Sequence, residues 1–429
     1  MKSWRFCAPN RPQMHTQVAI IGAGLAGLQA ARLLHAAKVD FVLLEARDDL
    51  GGRILTVDDA GRAAADGFDL GPSWFWPQMQ PAMADLVAEL ALPAFAQSSD
   101  GDVLFERMSR EGAQRYRALA QEPQSFRLVG GTAALVRALA RELPPAQVQR
   151  GARVTAMTLV RDGVELTIRR AGTSRNSSGD SSGDSSGDSS GDSSGDGPTT
   201  GQATRPGSET ETLVAAQVIA AVPPRLLDAT VTFAPERDAA NVRRWRETPT
   251  WMAPHAKFFA MYDRPFWREA GLSGTAQSMV GPMPEMHDAT SASGQAALFG
   301  FVGASADERA ALGTEALTRA CLAQLARLFG AEASRPRATL LKDWAADPLT
   351  ATAADRVAGG HPIPDPTPWV TGAWQERLTL GGSETSLSEP GYLAGAVVAA
   401  RAAVARVWHV RHVPIEIGKP GSGPTADSR

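Results

Sequence analysis

Three glycines near the start of the chain have the spacing of a turn that binds phosphate groups. Gly22, Gly24 and Gly27 fit the pattern G-x-G-x-x-G, and Glu45 follows at the end of the next apolar run. In such a turn the first glycine permits a tight bend, the second lets a pyrophosphate approach the backbone, and the third lets helix and strand pack closely. A carboxylate at the position of Glu45 accepts the ribose hydroxyls of an adenosine and disfavours a 2′-phosphate. The alternative is a glycine-rich turn without a ligand.

The segments around these glycines have the pattern of a βαβ unit. Residues 17–22 predict a short buried strand, residues 25–37 a helix rich in Ala and Leu, and residues 41–45 a second strand. Strand, glycine turn, helix and strand form the repeating unit of a doubly wound sheet. The sequence therefore predicts an α/β fold with a Rossmann-like domain.

The rest of the chain alternates between helical and extended patterns. Further helices are predicted at residues 81–91, 131–142, 314–329 and 391–408. Further strands are predicted at residues 152–160, 163–170, 212–222 and 256–263. Residues 97–127 are polar and weakly periodic, so no element is predicted there. Cys321 lies on the apolar face of the helix at 314–329, which predicts a core residue rather than a nucleophile.

The composition argues against several classes of protein. The chain has 429 residues, which suggests about two or three domains, and its 43% apolar and 21% charged residues are an ordinary globular balance. A net charge of −3 gives no reason to expect a nucleic acid or an anionic membrane as partner. Cys7 and Cys321 are too few for a disulfide framework, and the seven histidines form no cluster with ligand spacing, so no metal site is predicted. No run approaches the ~18 apolar residues of a membrane span, and no secretory leader is evident, so we expect a cytoplasmic protein.

A low-complexity segment lies between two of the predicted strands. Residues 177–196 are five copies of SSGD, and similar composition extends over about 171–210. Because it has almost no apolar surface to offset its ordering entropy, this segment is predicted to be disordered. It is either a docking tether or a tolerated expansion at a hairpin tip, and the second interpretation is favoured because long loops add little closure entropy. Residues 413–429 are predicted to form a loose polar tail.

A second motif directly extends the first. The run from Glu45 to Arg53 reads E-A-R-x-x-x-G-G-R, and an arginine near a diphosphate makes a charge-assisted, fork-shaped contact. This run resembles the flavin-containing amine oxidase superfamily, the group that holds monoamine oxidases, polyamine oxidases and L-amino-acid oxidases. The resemblance implies FAD as the cofactor rather than a nicotinamide. It covers most of residues 15–412, apart from the low-complexity segment.

Four further stretches carry the same resemblance. Residues 66–78 look like the family's segment beside the flavin ring, and residues 218–224 match a strand ending in Pro-Pro that closes the cofactor domain. Val154 falls where the family holds the adenine through backbone contacts. The runs 381–385 and 390–396 look like the family's closing motif, in which a glutamate binds the ribityl–phosphate region and a helix start lies against the flavin. The motifs and the resemblance together predict these cofactor-binding residues: Gly22, Gly24, Leu25, Ala26, Gly27, Glu45, Ala46, Arg47, Gly51, Gly52, Arg53, Ser73, Trp74, Val154, Gly382, Ser383, Glu384 and Leu393.

Lys257 is a lysine within an otherwise apolar strand, Ala-Lys-Phe-Phe-Ala. Burying a lone lysine is unfavourable unless it has a partner or a role. The segment is similar to the monoamine oxidase segment in which a lysine holds a water against flavin N5. The resemblance implies that Lys257 positions water and helps flavin reoxidation. The alternative is an alternating strand with Lys257 facing solvent.

Two aromatic residues complete the predicted catalytic set. Trp344 matches a family tryptophan beside the isoalloxazine, or is an ordinary core residue, and Tyr392 matches one wall of the family's amine-binding aromatic pair. The other wall would fall at Ala354 and the family's flavin-linked cysteine at Ala353, so the resemblance implies non-covalent FAD and an incomplete aromatic pair. Either Trp74 or Trp76 replaces this wall, or the two tryptophans are core or interface residues.

The sequence therefore predicts a two-domain flavoprotein. A discontinuous FAD domain takes residues 15–79, 128–247 and 347–412, and a smaller α+β substrate domain takes residues 80–127 and 248–346. The interval filled by residues about 80–129 is short for the family. The active site is therefore expected to be shallower, more open, or completed by another subunit in a homo-oligomer.

The activity that the resemblance implies is the oxidation of a small-molecule amine. Hydride passes from the amine carbon to flavin N5, and molecular oxygen reoxidises the flavin to give hydrogen peroxide. One alternative is an FAD-dependent desaturase or dehydrogenase of an isoprenoid, porphyrin or secondary metabolite, which shares the dinucleotide motifs but not the context of Lys257. A second alternative is a non-catalytic FAD-binding module, suggested by the short substrate domain.

Overall fold

A computed structural model of the chain describes residues 14–108, 110–117, 122–170, 209–357 and 359–412. Most of the segment predicted to be disordered, the predicted loose tail and Cys7 lie outside the described residues. The described α-helices are α1 (Leu25–Ala36), α2 (Pro81–Glu89), α3 (Ala133–Arg141), α4 (Pro224–Thr230), α5 (Ala239–Glu247), α6 (Phe266–Glu269), α7 (Ala306–Phe329) and α8 (Leu393–His412).

The strands fall into three groups along the chain. The first group is β1 (Met14–Ile21), β2 (Phe41–Leu44), β3 (Thr56–Val57), β4 (Phe68–Asp69), β5 (Ala94–Ala96), β6 (Asp102–Glu106), β7 (Gln114–Arg117) and β8 (Phe126–Leu128). The second is β9 (Val148–Gln149), β10 (Ala152–Val160), β11 (Gly163–Arg170), β12 (Glu209–Ala220) and β13 (Thr232–Ala234). The third is β14 (Ala256–Tyr262), β15 (Leu272–Ser278), β16 (Glu285–Asp288), β17 (Ala296–Val302), β18 (Ala338–Asp343) and β19 (Leu378–Leu380). Short 3₁₀ turns lie at Pro145–Gln147, Ala331–Ser334, Trp344–Ala346, Ala353–Arg356, Gly372–Trp374 and Ser383–Thr385.

The first sheet has the predicted Rossmann-like centre. Its strand order is β13-β10-β11-β12-β1-β2-β9, with β19 pairing on β12. Strand β1 is parallel to both β2 and β12, whereas β10, β11 and β12 pair antiparallel. Residues Val18–Ile21 of β1 are all buried, as expected for a strand covered on both faces. The predicted βαβ unit of β1, α1 and β2 is therefore confirmed within a mixed sheet.

Two apolar cores cover the two faces of this sheet. On one face, α1, α3 and α8 pack on apolar residues such as Val18, Ile20 and Phe41. On the other face, Ala19 and Ile21 pack with residues of the β10–β11 hairpin and with Trp245 and Trp374. The alternation along β1 places successive side chains in opposite cores, as the period of a strand requires.

The second sheet is largely antiparallel, with the order β18-β14-β17-β16-β15-β6-β7. Its central strand β14 is buried at every position and pairs with both β17 and β18. Helix α7 packs on this sheet and contributes Cys321, which is fully buried, so the predicted core position is confirmed. Every strand of this sheet lies within the ranges predicted for the substrate domain. The strands of the first sheet lie within those predicted for the FAD domain, except that β1 begins one residue earlier, at Met14. The division into domains stays a prediction.

Two element predictions differ from the structure. The interval 97–127, for which no element was expected, contains β6, β7 and the start of β8. All four residues of β7 are exposed, so this edge strand carries no apolar signal. Helix α7 begins at Ala306 rather than at 314, because Ser305 and Glu308 form a capping box there and the helix is interrupted at Gly313, whose φ is 75°. No helix in the described part of the chain combines the length and the apolar character that crossing a bilayer requires.

Candidate active site

A cavity of about 400 Å³ lies between the two sheets, a volume in the usual range of ligand pockets. One end, here called the glycine end, is lined by residues such as Gly22, Gly24 and Glu45. The other, here called the aromatic end, is lined by Trp74, Trp76, Trp251, Phe301, Trp344 and Tyr392, with Lys257 among them. The residues of the two sequence motifs and of the apolar strand β14 therefore meet in one cavity.

A different feature of the structure explains each of the three glycines of the first motif. Gly22 has a φ of +95°, and a Cβ added there would lie 2.6 Å from Val222 Cγ1. A Cβ on Gly27 would lie 1.8 Å from the carbonyl oxygen of Gly22, so this glycine lets α1 pack against the turn. At Gly24 the nearest atom to an added Cβ is the Gly51 oxygen at 3.7 Å, so a side chain there would fit against the protein. Gly24 lines the cavity, where a side chain would occupy space available to a ligand.

The carboxylate of Glu45 is held in place by backbone groups. Its Oε2 accepts a hydrogen bond of 2.7 Å from the Ala23 N–H, and its Oε1 accepts one of 2.9 Å from the Arg47 N–H. Only 6% of Glu45 is exposed, and it lines the cavity at the end of β2. A carboxylate oxygen accepts more than one hydrogen bond, so the side chain keeps acceptor capacity for hydroxyl groups in the cavity.

The two arginines of the second motif are paired within the chain. Arg47 makes a forked contact with Asp347, at 3.0 and 3.1 Å. Arg53 binds both oxygens of Glu384, at 2.6 and 3.2 Å, and also donates to the Trp251 carbonyl. Both arginines line the cavity, yet much of their donor capacity is used by the protein itself. Each arginine faces a carboxylate that partly neutralises its positive charge. The two arginines therefore attract an anionic ligand less strongly than unpaired arginines would.

Three predicted cofactor-binding residues, Gly27, Gly382 and Glu384, do not line the cavity. Gly27 packs on the turn as described above, and a Cβ on Gly382 would lie 2.8 Å from the Val222 carbonyl oxygen. The side chain of Glu384 is fully buried against Arg53. These residues support the cavity wall. The other predicted residues line it: Gly22, Gly24, Leu25, Ala26, Glu45, Ala46, Arg47, Gly51, Gly52, Arg53, Ser73, Trp74, Val154, Ser383, Leu393 and the catalytic candidates Lys257, Trp344 and Tyr392.

The start of α8 points into the cavity. Leu393 is the first residue of this helix and lines the cavity with Tyr392 and Ala396. A Cβ on Gly395 would lie 2.1 Å from the Glu389 carbonyl oxygen, so glycine allows the chain before the helix to fold closely over its first turn. The first N–H groups of a helix carry partial positive charge, so this end of α8 would stabilise negative charge on a ligand.

Lys257 is buried and points from β14 toward the chain segment after β4. Only 2% of the residue is exposed, so the solvent-facing alternative is wrong. Its Nζ donates to the Gly71 carbonyl at 2.6 Å and to Ser73 Oγ at 3.1 Å, and it lies 4.8 Å from the centre of the Phe299 ring. Burial lowers the pKa of Lys257 from 10.5 to about 7, against the opposing effect of Asp69. Near neutral pH the amine therefore exists in both protonation states.

The aromatic end contains residues that sequence analysis did not identify. Trp251 and Phe301 line the cavity, and His361 stacks between the rings of Trp251 and Tyr392, with 4.4 Å between the His361 and Tyr392 ring centres. Ala354, the position matched to the family's second aromatic wall, is exposed. The aromatic surface beside Tyr392 is thus supplied from other parts of the chain. In the sequence, Trp251 is distinguished only as an aromatic residue just before a predicted strand.

The two predicted tryptophans at this end differ in how they are held. Trp344 is 3% exposed, and its indole N–H donates to the Leu70 carbonyl at 3.0 Å. Trp74 donates to Gln97 Oε1 at 2.9 Å and packs on Phe299. Each indole thus presents a ring to the cavity while its N–H is satisfied by the protein.

The family comparison agrees with this arrangement. The model of the flavin-containing amine oxidoreductase family matches residues 192–408, about half of the chain. The chain belongs to the flavin-containing amine oxidoreductase family. A model of NAD(P)-binding Rossmann-like domains also matches residues 20–90, which contain the glycine turn and the E-A-R-x-x-x-G-G-R run.

Curated proteins similar to this chain match it over a short segment. Polyamine oxidase 3 of Oryza sativa subsp. japonica is 41% identical over 98 residues, which is 22% of this chain and 19% of that protein. Polyamine oxidase 2 of Arabidopsis thaliana is 36% identical over 90 residues, 21% of this chain and 18% of that protein. The match thus spans about a fifth of the length of these curated relatives.

Solved structures share the fold of this chain over almost its whole length. A putrescine oxidase bound to putrescine has a TM-score of 0.67 and 20% identity, and the match covers 92% of this chain and 100% of that chain. Cyclohexylamine oxidase from Brevibacterium oxydans IH-35A has a TM-score of 0.68 and 18% identity, with the same coverage. The fold of these two amine oxidases is therefore also the fold of this chain.

Proposed function

We propose that this protein is an FAD-dependent amine oxidase. The observation that carries the proposal is the buried Nζ of Lys257 at the aromatic end of a cavity whose other end carries Glu45 and the glycine turn. A dinucleotide that begins at Glu45 and follows the turn would reach toward the start of α8 and Lys257. Membership of the flavin-containing amine oxidoreductase family supports the same assignment.

The residues of the cavity fit FAD. At the glycine end, Glu45 would accept the ribose hydroxyls, and the backbone around Gly24 would lie against the pyrophosphate. Val154 would hold the adenine, and Leu393 at the start of α8 would lie against the flavin ring. Among the described residues that line the cavity there is no cysteine, which supports non-covalent binding.

Bound FAD would supply the redox chemistry, accepting a hydride from the amine carbon and returning the electrons to molecular oxygen as hydrogen peroxide. The chain itself would select and orient the amine. The rings of Trp251, Phe301 and Tyr392 would exclude water, which favours the neutral, reactive form of the amine by desolvation. Lys257 would hold a water molecule beside the reacting atoms and exchange protons with it near neutral pH. The start of α8 would stabilise developing negative charge.

The substrate and location belong to the same proposal. Lys257 is the charged side chain among the residues that define the aromatic end, so a small amine with an apolar or aromatic body fits that surface. A cytoplasmic location is consistent with a chain of two cysteines, one of which, Cys321, is a buried free thiol.

The test is peroxide release by the purified, FAD-saturated protein against a panel of monoamines, polyamines and amino acids. Amine-dependent peroxide, strongest with apolar monoamines, is the expected result. Bound flavin that dithionite reduces and oxygen reoxidises, without peroxide from any amine, would contradict the oxidase assignment and favour a desaturase or dehydrogenase. Flavin that neither amines nor dithionite can reduce would favour a non-catalytic module.

A further inference from the structure

A buried aspartate, Asp69, belongs to the chain segment that holds Lys257. It is the last residue of β4 and is only 1% exposed. The Nζ of Lys257 donates to three acceptors within residues 69–73, which are the Gly71 carbonyl at 2.6 Å, Ser73 Oγ at 3.1 Å and the Asp69 carbonyl at 3.4 Å. An ammonium group has three donors, so this short segment accepts from all of them. The position of the Lys257 ammonium therefore depends on how firmly this segment is held.

The carboxylate of Asp69 anchors this segment to the start of α3. Its Oδ1 accepts a hydrogen bond of 2.6 Å from the Thr56 hydroxyl and one of 2.9 Å from the Thr132 N–H. The Thr56 oxygen in turn accepts from the N–H of Ala133, the first residue of α3, at 3.0 Å. The first N–H groups of a helix carry partial positive charge, which favours a carboxylate at this place. One side chain thus connects the helix to the segment that holds Lys257.

Asp69 and Lys257 are also two buried charges of opposite sign. The Asp69 Oδ2 has no hydrogen-bond partner in the described part of the chain, and the three acceptors around the Lys257 Nζ are all uncharged groups. Burial lowers the pKa of Lys257, the charge of Asp69 raises it, and the charge of Arg127 lowers it. A buried charge is unfavourable unless an opposite charge is close. Each of the two residues therefore stabilises the charged form of the other.

The other charged groups on the elements around Lys257 do not supply this balance. Two polar pairs include residues of the neighbouring strands β18 and β16, namely Lys342 with Asp347 at 3.2 Å and His287 with Glu285 at 2.6 Å. Phe301, the residue opposite Lys257 on β17, is uncharged. Arg127 of β8 is a second buried cation and acts on Lys257 with the sign opposite to that of Asp69. Among these described groups, Asp69 is the carboxylate that balances Lys257.

We propose that Asp69 is a positioning residue for Lys257, whose carboxylate anchors the segment that binds the ammonium and supplies the negative charge that balances it. Asp69 is not among the residues that line the cavity, so it acts through Lys257 and not on the amine. Its consequence for catalysis rests on the proposed function, in which Lys257 holds water and exchanges protons.

The test is the pH titration of Lys257 in the purified full-length protein, followed by NMR with an isotope label at the ε carbon of lysine. The chain has five lysines, and the signal that is missing from Lys257→Met identifies Lys257. Asp69→Asn keeps an oxygen that can accept hydrogen bonds but removes the charge, so the Lys257 midpoint should fall by about one pH unit. The titration involves no turnover, so a protein that oxidises no amine would still give this result.

The matched control is Asp355→Asn. Asp355 is also a buried aspartate, 2% exposed, and its carboxylate also accepts from a threonine hydroxyl. It is not among the charges that act on Lys257, so this variant should leave the Lys257 midpoint unchanged. An unchanged midpoint in Asp69→Asn, or equal shifts in both variants, would overturn the proposal.

Urea unfolding at pH 6, below the Lys257 midpoint, provides a second measurement should Asp69→Asn alone fold poorly. Because the two charges balance each other, Asp69→Asn should lower the urea midpoint more in the unaltered protein than in Lys257→Met. Equal losses in the two backgrounds, or loss of folding in both, would assign Asp69 to the fold alone and overturn its role at Lys257.

Discussion

The glycine end and the aromatic end of the cavity are built in different ways. At the glycine end, Gly22, Gly24 and Glu45 lie close together in sequence, and backbone groups fix their geometry. At the aromatic end, Trp251, Trp344 and Tyr392 come from distant parts of the chain and meet only through packing of the two sheets. A local motif specifies the first end, whereas tertiary structure specifies the second.

Substitutions of two motif glycines should have the largest effects on folding and on cofactor binding. Gly27→Val should remove cooperative folding or lower the unfolding free energy by more than about 4 kcal/mol, because its Cβ would collide with the Gly22 carbonyl. Without FAD, Gly24→Val, whose side chain would enter the cavity, should keep the urea unfolding curve of the unaltered apoprotein. When FAD is added, this variant should bind little of it. Urea unfolding and flavin absorbance of both variants separate the two effects. Similar stability for both variants would contradict the roles assigned to these glycines.

The next largest effect is expected at Lys257. Lys257→Met should keep bound flavin but slow amine-dependent peroxide release by about a hundredfold, the lower end of the contribution of a positioned proton-transfer group. Stopped-flow measurement of flavin reoxidation by oxygen would show whether the slowed step is reoxidation or the reaction with the amine. Lys38→Met, at an exposed lysine outside the cavity, is the control and should behave as the unaltered protein. Unchanged peroxide release together with unchanged reoxidation in Lys257→Met would remove the lysine from the mechanism.

The same lysine predicts how stability depends on pH. The folded-state pKa of about 7 lies below the ordinary 10.5, so between these values the unfolded chain binds one more proton than the folded chain. Stability therefore rises with pH across this window, by at most about 1.4 kcal/mol per pH unit. Urea unfolding at pH 7.5 and 9 should show this rise in the unaltered protein relative to Lys257→Met. Parallel pH dependence of the two proteins would show that Lys257 is not desolvated as described.

A smaller effect is expected at the exposed edge of the aromatic end. Tyr392 is 37% exposed and stacks on His361, so Tyr392→Leu should raise KM for apolar amines by about threefold to tenfold and leave stability nearly unchanged. Steady-state kinetics with one good substrate would measure this. Tyr116→Leu, at an exposed tyrosine of β7, should leave KM unchanged. A fall in kcat without a change in KM would give Tyr392 a different role.

Most of the residues predicted for the glycine end line the cavity there, because spacing and residue type are themselves the signal in a local motif. Arg53 was predicted to contact the cofactor, and its forked contact with Glu384 could not be foreseen, since that partner lies far along the chain. At the aromatic end, resemblance identified Lys257 and Trp344. Trp251 and His361 were missed because neither lies in a motif, and only the fold brings them to Tyr392.

The same limit applies to the prediction of strands in the second sheet. Strand β14 was predicted because its apolar run is continuous, and the structure confirms it. Strand β7 was not, because an exposed edge strand of polar residues has no hydrophobic pattern to detect.

The most direct test of the central claim is the visible spectrum of the purified protein before and after denaturation and filtration. We predict a flavin spectrum in the folded protein and FAD in the filtrate, because we propose that the cavity between Glu45 and Lys257 holds FAD without a covalent bond. Flavin that stays with the denatured chain would contradict non-covalent binding. A protein that shows no flavin, even after FAD is added, would contradict the assignment of the cavity itself.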